Sequence, residues 1–227
     1  MERCYVSYLS APEVLLNTHK QPGNAPYVQK KPKKRHTNAL VIGYSNHGRL
    51  PHAVLEAQQA ATHIGRRMPT TMMLEAEATL ERLQASSQTV QLLHIATHAV
   101  YRQDNPLFSW MSLADSKLTV ADLCTMTLPQ HPLVVLSACE TGRGQARGGG
   151  LLGMGRGFLA AGASGLIVGL WKIDDQAAAQ LMVDFYAPHT SYDPWQHPAA
   201  TLAMAQRKAL QQYQHPSYWA GFIFIKG

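Results

Sequence analysis

The chain has 227 residues with a formal net charge of +6, and 46% of them are hydrophobic but only 15% charged, against the roughly 25% charged of ordinary soluble domains. That balance excludes a disordered chain and predicts one large domain or two small ones, with a core that needs no metal or disulfide staple. The longest apolar run, residues 166–171, is far short of the roughly 20 residues that span a bilayer, residues 1–5 lack the apolar core of a signal peptide, and three cysteines (Cys4, Cys124, Cys139) make neither a disulfide framework nor a four-thiolate zinc site, so the reading is a soluble protein of the reducing cytoplasm.

In chain order, residues 5–9 read as a short strand and residues 21–38 as a Pro/Gly/Asn/Lys-rich loop. Residues 1–38 hold seven Lys/Arg against two acids, and the remainder holds thirteen against twelve. The pI of 9.3 therefore reflects one run, Lys30-Lys31-Pro32-Lys33-Lys34-Arg35, and not a basic surface. With no aromatic platform interleaved, it reads as a solvated loop, and nucleic acid is not expected as a direct ligand. Residues 1–38 are taken as an opening strand and basic loop of the same domain that residues 39–227 form.

Ala39–Gly43 is a continuous apolar run of the kind that forms a buried parallel strand. Pro51 opens a helix expected over residues 53–67, with Val54, Ala57, Ala61 and Ile64 on one face. A weak strand follows at 69–73 and a second helix at 75–83. Residues 90–96 and Leu133–Ser137 read as further buried strands, with a hairpin arm or edge strand at 108–113 and a helical turn at 119–123 between them. A glycine-rich loop (142–150), a helix (151–161), a strand (165–170), helices at 175–186 and 199–212, and a closing strand (219–226) complete the chain. Strands separated by helical stretches predict a three-layer α/β domain with a mostly parallel sheet.

Ligands of open α/β sheets bind beyond the carboxyl ends of the strands. Those ends here carry Tyr44-Ser45, Thr97-His98, Cys139-Glu140 and Trp171-Lys172. A histidine and a cysteine at two such ends form a candidate nucleophilic pair: an imidazole within reach activates the thiol and later protonates a leaving amine. The amides of Ala99 and Cys139 are candidate oxyanion donors. The spacing Gly148-x-Gly150-x-x-Gly153 with Asp174 downstream imitates a dinucleotide fingerprint, but ten residues separate Ser137 from Gly148, whereas the fingerprint needs its glycines immediately after the strand. His94 and His98 have the spacing of helical zinc ligands, yet the segment reads as a strand, and His94 is expected to point into a helix layer. No metal and no cofactor is expected. Cys124 reads as a small core or boundary residue, Trp110, Trp195 and Trp219 as packing residues, and the scattered methionines, Met72 among them, as gap-fillers between helix and sheet.

The wording of these segments is more specific than their pattern. Leu93-His94-Ile95-Ala96-Thr97-His98 and Leu136-Ser137-Ala138-Cys139-Glu140-Thr141-Gly142 resemble the two motifs of the CHAT family, caspase-like cysteine peptidase domains of clan CD often attached to tetratricopeptide repeats. The resemblance continues through Leu50-Pro51, Glu56-Ala57, Gly169-Leu170-Trp171-Lys172-Ile173-Asp174-Asp175 and His215-Pro216-Ser217-Tyr218-Trp219, covering residues 40–227. It implies a three-layer α-β-α caspase-like fold and a thiol protease acting on protein or peptide substrates, with Cys139 as nucleophile and His98 as general acid and base. Trp171, Asp174 and Asp175 would lie near the substrate groove. A repeat region, in the same chain or in a regulatory partner, is expected alongside the domain. Two departures stand out: Ala99 where the family has glycine, and Gly149 where its loop has an acid. The second motivates an alternative in which the domain is a regulatory or interaction module, silent as a peptidase until a partner or repeat region orders the active-site loop.

Overall fold

A computed structural model describes residues 8–9, 38–102, 104–137, 153–187 and 193–227. Four five-residue strands, β2 (Ala39–Gly43), β4 (Leu92–Ala96), β8 (Leu133–Ser137) and β9 (Gly165–Gly169), are buried along their whole length. They run parallel, as continuous apolar runs covered on both faces do. β3 (Thr70–Leu74) closes one edge, parallel to β2. Beyond β9, β10 (Phe222–Lys226) runs antiparallel, and β1 (Tyr8–Leu9) pairs parallel to β10. The order is β1-β10-β9-β8-β4-β2-β3.

One face of this sheet is covered by α1 (Pro51–Gly65), α5 (Asp175–Tyr186) and α6 (Pro198–Gln212). The other is covered by α2 (Leu80–Ser87), α3 (Val120–Thr125) and α4 (Met154–Ala160), through Leu83, Leu123 and Phe158. This is the three-layer α-β-α architecture with a mostly parallel sheet that the alternation of strands and helices predicts. A second, three-stranded antiparallel sheet joins β5 (Ala99–Val100), β6 (Trp110–Ser112) and β7 (Lys117–Thr119) just beyond β4. No helix among the described residues is long and apolar enough to cross a membrane.

Several local expectations shift. The helix expected at 75–83 is a 3₁₀ turn, Glu75–Glu77, followed by α2, because Thr79 caps the later start by accepting the Arg82 N–H at 3.3 Å. Of the two readings for 108–113, the hairpin arm holds: β6 pairs antiparallel with β7, and as the middle strand of its sheet it is not an edge. Cys124 is exposed, since the short α3 turns Val120 and Leu123 inward and leaves Cys124 facing out. Met72 is 40% exposed because it sits on β3, an edge strand with no further strand beyond it among the described residues. Cys4, the basic run 30–35 and the loop 142–150 lie outside the described residues.

Candidate active site

The paired register sets the geometry. Ala96 at the end of β4 is opposite Ser137 at the end of β8, and the Thr97 N–H donates to the Ser137 carbonyl at 3.3 Å. Adjacent strands lie about 4.8 Å apart, and two extended residues reach at most about 7 Å. His98 is two residues beyond Ala96, and in the sequence Cys139 is two residues beyond Ser137. The strands that precede the two candidate groups in the sequence therefore end side by side. Cys139 itself lies outside the described residues.

His98 is half-buried between the main sheet and the small one. Its carbonyl accepts the Ser112 N–H at 2.8 Å, and its ring meets Trp110 edge-on with centroids 5.6 Å apart. Lys117 Nζ stands 4.2 Å over the same indole. Trp110 thus walls the imidazole, a contact its sequence context does not signal. Ala99, the first residue of β5, is buried and pairs with Met111.

A narrow cleft of about 400 Å³ opens at the same edge, lined by Glu56, Thr97, Ser137, Trp171, Ile173 and Asp175 among others. Two of the three groove candidates, Trp171 and Asp175, face it. Trp171 is anchored by its Nε1–H, which donates to the Ser217 carbonyl at 3.1 Å. Burial pushes the Asp175 carboxyl above the ordinary carboxylate range, while the charge and backbone N–H of His52 draw it partly back. Asp174 does not line the cleft; it is the N-cap of α5, accepting the Ala177 N–H at 3.0 Å. A wider hollow of about 1050 Å³ lies at the other end of the sheet, lined by Leu133, Gly165 and Phe224 among others, away from the strand ends that carry His98 and Cys139.

Beneath the cleft runs a buried polar chain to which sequence reasoning assigned no role. Ser137 Oγ donates to Glu56 Oε2 at 2.8 Å, Glu56 Oε1 lies 3.1 Å from His94 Nε2, and His94 Nδ1 lies 3.1 Å from the Tyr186 hydroxyl. All four side chains are buried. His94 does point into the helix layer, between α1 and α5. Desolvation pushes the Glu56 carboxyl up, opposed by its contacts with His94 and Ser137; burial and the neighbouring Glu56 push the Tyr186 phenol well up. The available signals were a single acid on the small-residue face of α1, among Ala53, Ala57 and Ala60, and a histidine within an otherwise apolar strand.

The order and directions of these strands are those of a caspase-like fold, which solved structures share. The Arg-specific cysteine proteinase gingipain R superposes with a TM-score of 0.59 at 10% identity, over 83% of this chain and 46% of that one. The separase in the Saccharomyces cerevisiae separase–securin complex superposes with 0.57 at 12% identity, over 85% of this chain and 12% of that one. The chain belongs to the CHAT domain family, whose model matches residues 1–226. Among curated proteins it is 24% identical to tetratricopeptide repeat protein 28 of Mus musculus, over 90% of this chain and 10% of that protein. The chain thus spans about a tenth of that relative's length.

Proposed function

We propose that the chain is a cysteine endopeptidase in which Cys139 is the nucleophile and His98 the general acid and base. The observation that supports this reading is the pairing of Ala96 with Ser137, two residues before His98 and two before Cys139 in the sequence. His98 takes the thiol proton, and the Cys139 sulfur attacks the scissile carbonyl carbon. The oxyanion that forms accepts hydrogen bonds from the backbone N–H groups of Ala99 and Cys139. Its collapse expels the amine, which takes the proton from His98 and leaves a thioester on the sulfur. Water then attacks the thioester with His98 as base, releasing the acid and restoring the thiol. The chain works at neutral pH in a reducing cytoplasm without a cofactor. Trp171 and Asp175 line the groove for the peptide; Asp175, raised by desolvation, gains most from a cationic substrate side chain.

Cleavage of a proteome-derived peptide library, wild type beside Cys139→Ala, tests the reading. Turnover should fall by at least about 10³-fold in the variant, with its thermal unfolding unchanged, and the cut sites report side-chain preference. Cleavage that survives in Cys139→Ala overturns the assignment.

One observation favours a second reading. The curated relative is named for its repeats and not for a hydrolase, which suits a domain that binds a repeat region or regulatory partner. Silence of the library with wild type, together with tight binding of a tetratricopeptide-repeat segment, would move the weight there.

A further inference from the structure

We infer that Glu56 is a positioning residue, bridging Ser137 at the carboxyl end of β8 to His94 of β4 and so fixing the two strands from which the chain runs on to Cys139 and His98. The inference rests on the peptidase reading for its consequence, while the bridge itself is a matter of geometry.

The carboxylate uses both oxygens across two strands. Oε2 accepts from Ser137 Oγ, two residues before Cys139 in the sequence; Oε1 stands against Nε2 of His94, four residues before His98. The far nitrogen of His94, Nδ1, is engaged by the Tyr186 hydroxyl of α5, which holds the imidazole with its Nε2 turned toward Glu56. Helix α1 can bring Glu56 this close because Gly43 has no side chain: a Cβ there would sit 2.6 Å from the Ala57 Cβ and 3.2 Å from the Ala53 carbonyl.

Stability alone does not account for the bridge. A buried acid loses its hydration, and a buried ionic cluster is commonly no more stabilising than apolar side chains of the same volume. The Glu56–His94 contact is close but poorly aligned, since neither Oε1 nor Nε2 makes a hydrogen bond of good geometry. A costly, imperfectly paired acid at the root of both candidate segments is suited to fixing geometry.

The test uses the full chain with Cys4→Ser and Cys124→Ser, leaving Cys139 as its single thiol. Glu56→Ala, Glu56→Gln and Ser137→Ala are compared for kcat and KM on a library-derived peptide, for the iodoacetamide alkylation rate of Cys139, and for Tm. A misplacement near 1 Å costs about 100-fold, so Glu56→Ala should lose about that factor in kcat with KM within about twofold. Glu56→Gln, which keeps the shape and both contacts, should recover most of the loss. Alkylation should slow in Glu56→Ala but slow no further when His98→Ala is already present.

A folded Glu56→Ala with unchanged kcat overturns the bridge, as does a loss equally deep in Glu56→Gln. Should Glu56→Ala not fold, Ser137→Ala carries the test: a kcat loss of about tenfold supports the bridge, and an unchanged kcat overturns it. The two readings separate cleanly. Cleavage with kcat and alkylation indifferent to Glu56 removes the bridge and keeps the peptidase. His98-dependent alkylation that slows in Glu56→Ala, with no cleavage by any form, keeps the bridge and removes the peptidase.

Discussion

The two faces of the central sheet are built from alternate residues of the same strands and do different work. One presents Leu40, Ile42, Leu93, Ile95, Val134 and Leu136 to Leu83, Leu123 and Phe158, hydrocarbon against hydrocarbon. The other presents Val41, His94, Val135 and Ser137 to α1 and α5, and there the Glu56 cluster interrupts an otherwise apolar layer. The apolar face holds the sheet together without direction, because burial depends on area and not on angle. The polar face adds directional contacts, which run from His94 in the middle of β4 to Ser137 at the carboxyl end of β8.

The contrast can be broken most strongly on the apolar side. Phe158 is fully buried, so Phe158→Ala should cost about 3–5 kcal/mol in denaturant unfolding, while the cleavage activity of the molecules that remain folded stays close to wild type. Gly43→Ala strikes the layer between helix and sheet: its Cβ must push α1 outward from a 2.6 Å approach, an overpacking cost of about 1–3 kcal/mol. Because α1 carries Glu56, this variant should also lose turnover beyond its lost stability, which separates it from Phe158→Ala.

A pH titration sharpens the comparison further. Burial raises the folded Glu56 carboxyl above the ordinary glutamate range, so the folded chain holds that proton more tightly than the unfolded chain. The stability this group contributes is complete below about pH 4.5 and is lost as pH rises through the raised folded value. Unfolding of Glu56→Gln should lack that decline, so the variant gains relative to wild type on going from acid toward neutral pH; parallel curves would show that Glu56 does not titrate above its ordinary range. The smallest effect belongs to Asp174→Ala, which should cost about 1 kcal/mol through loss of the α5 cap and leave the cut-site preference alone, since Asp174 caps the helix and Asp175 lines the cleft.

Much of the fold was legible in the chain. The runs Ala39–Gly43 and 133–136 are apolar throughout, a pattern that a strand buried on both faces produces, and both lie in such strands. Short elements were less legible. The start of α2 depends on a single cap at Thr79, and the antiparallel pairing of β10 depends on partners distant in sequence. The strand ends followed by His98 and Trp171 could be read because residue type and position on a strand are both local properties.

Local properties do not include which residues meet across layers. Glu56 and His94 stand 38 positions apart and Tyr186 a further 92, and no spacing rule links a helix side chain to alternate residues of two strands. The division between Asp174 and Asp175 is of the same kind: adjacent and chemically identical, they part because the first residue before a helix turns back onto its amides while the next turns toward the sheet edge. Composition and periodicity determined the layers, the strand ends and the residue types found there, since burial acts on each segment separately. Only the packing of α1 over Gly43 decided that an acid would lie between the two strands, because its contacts exist only after those strands and that helix are already in place.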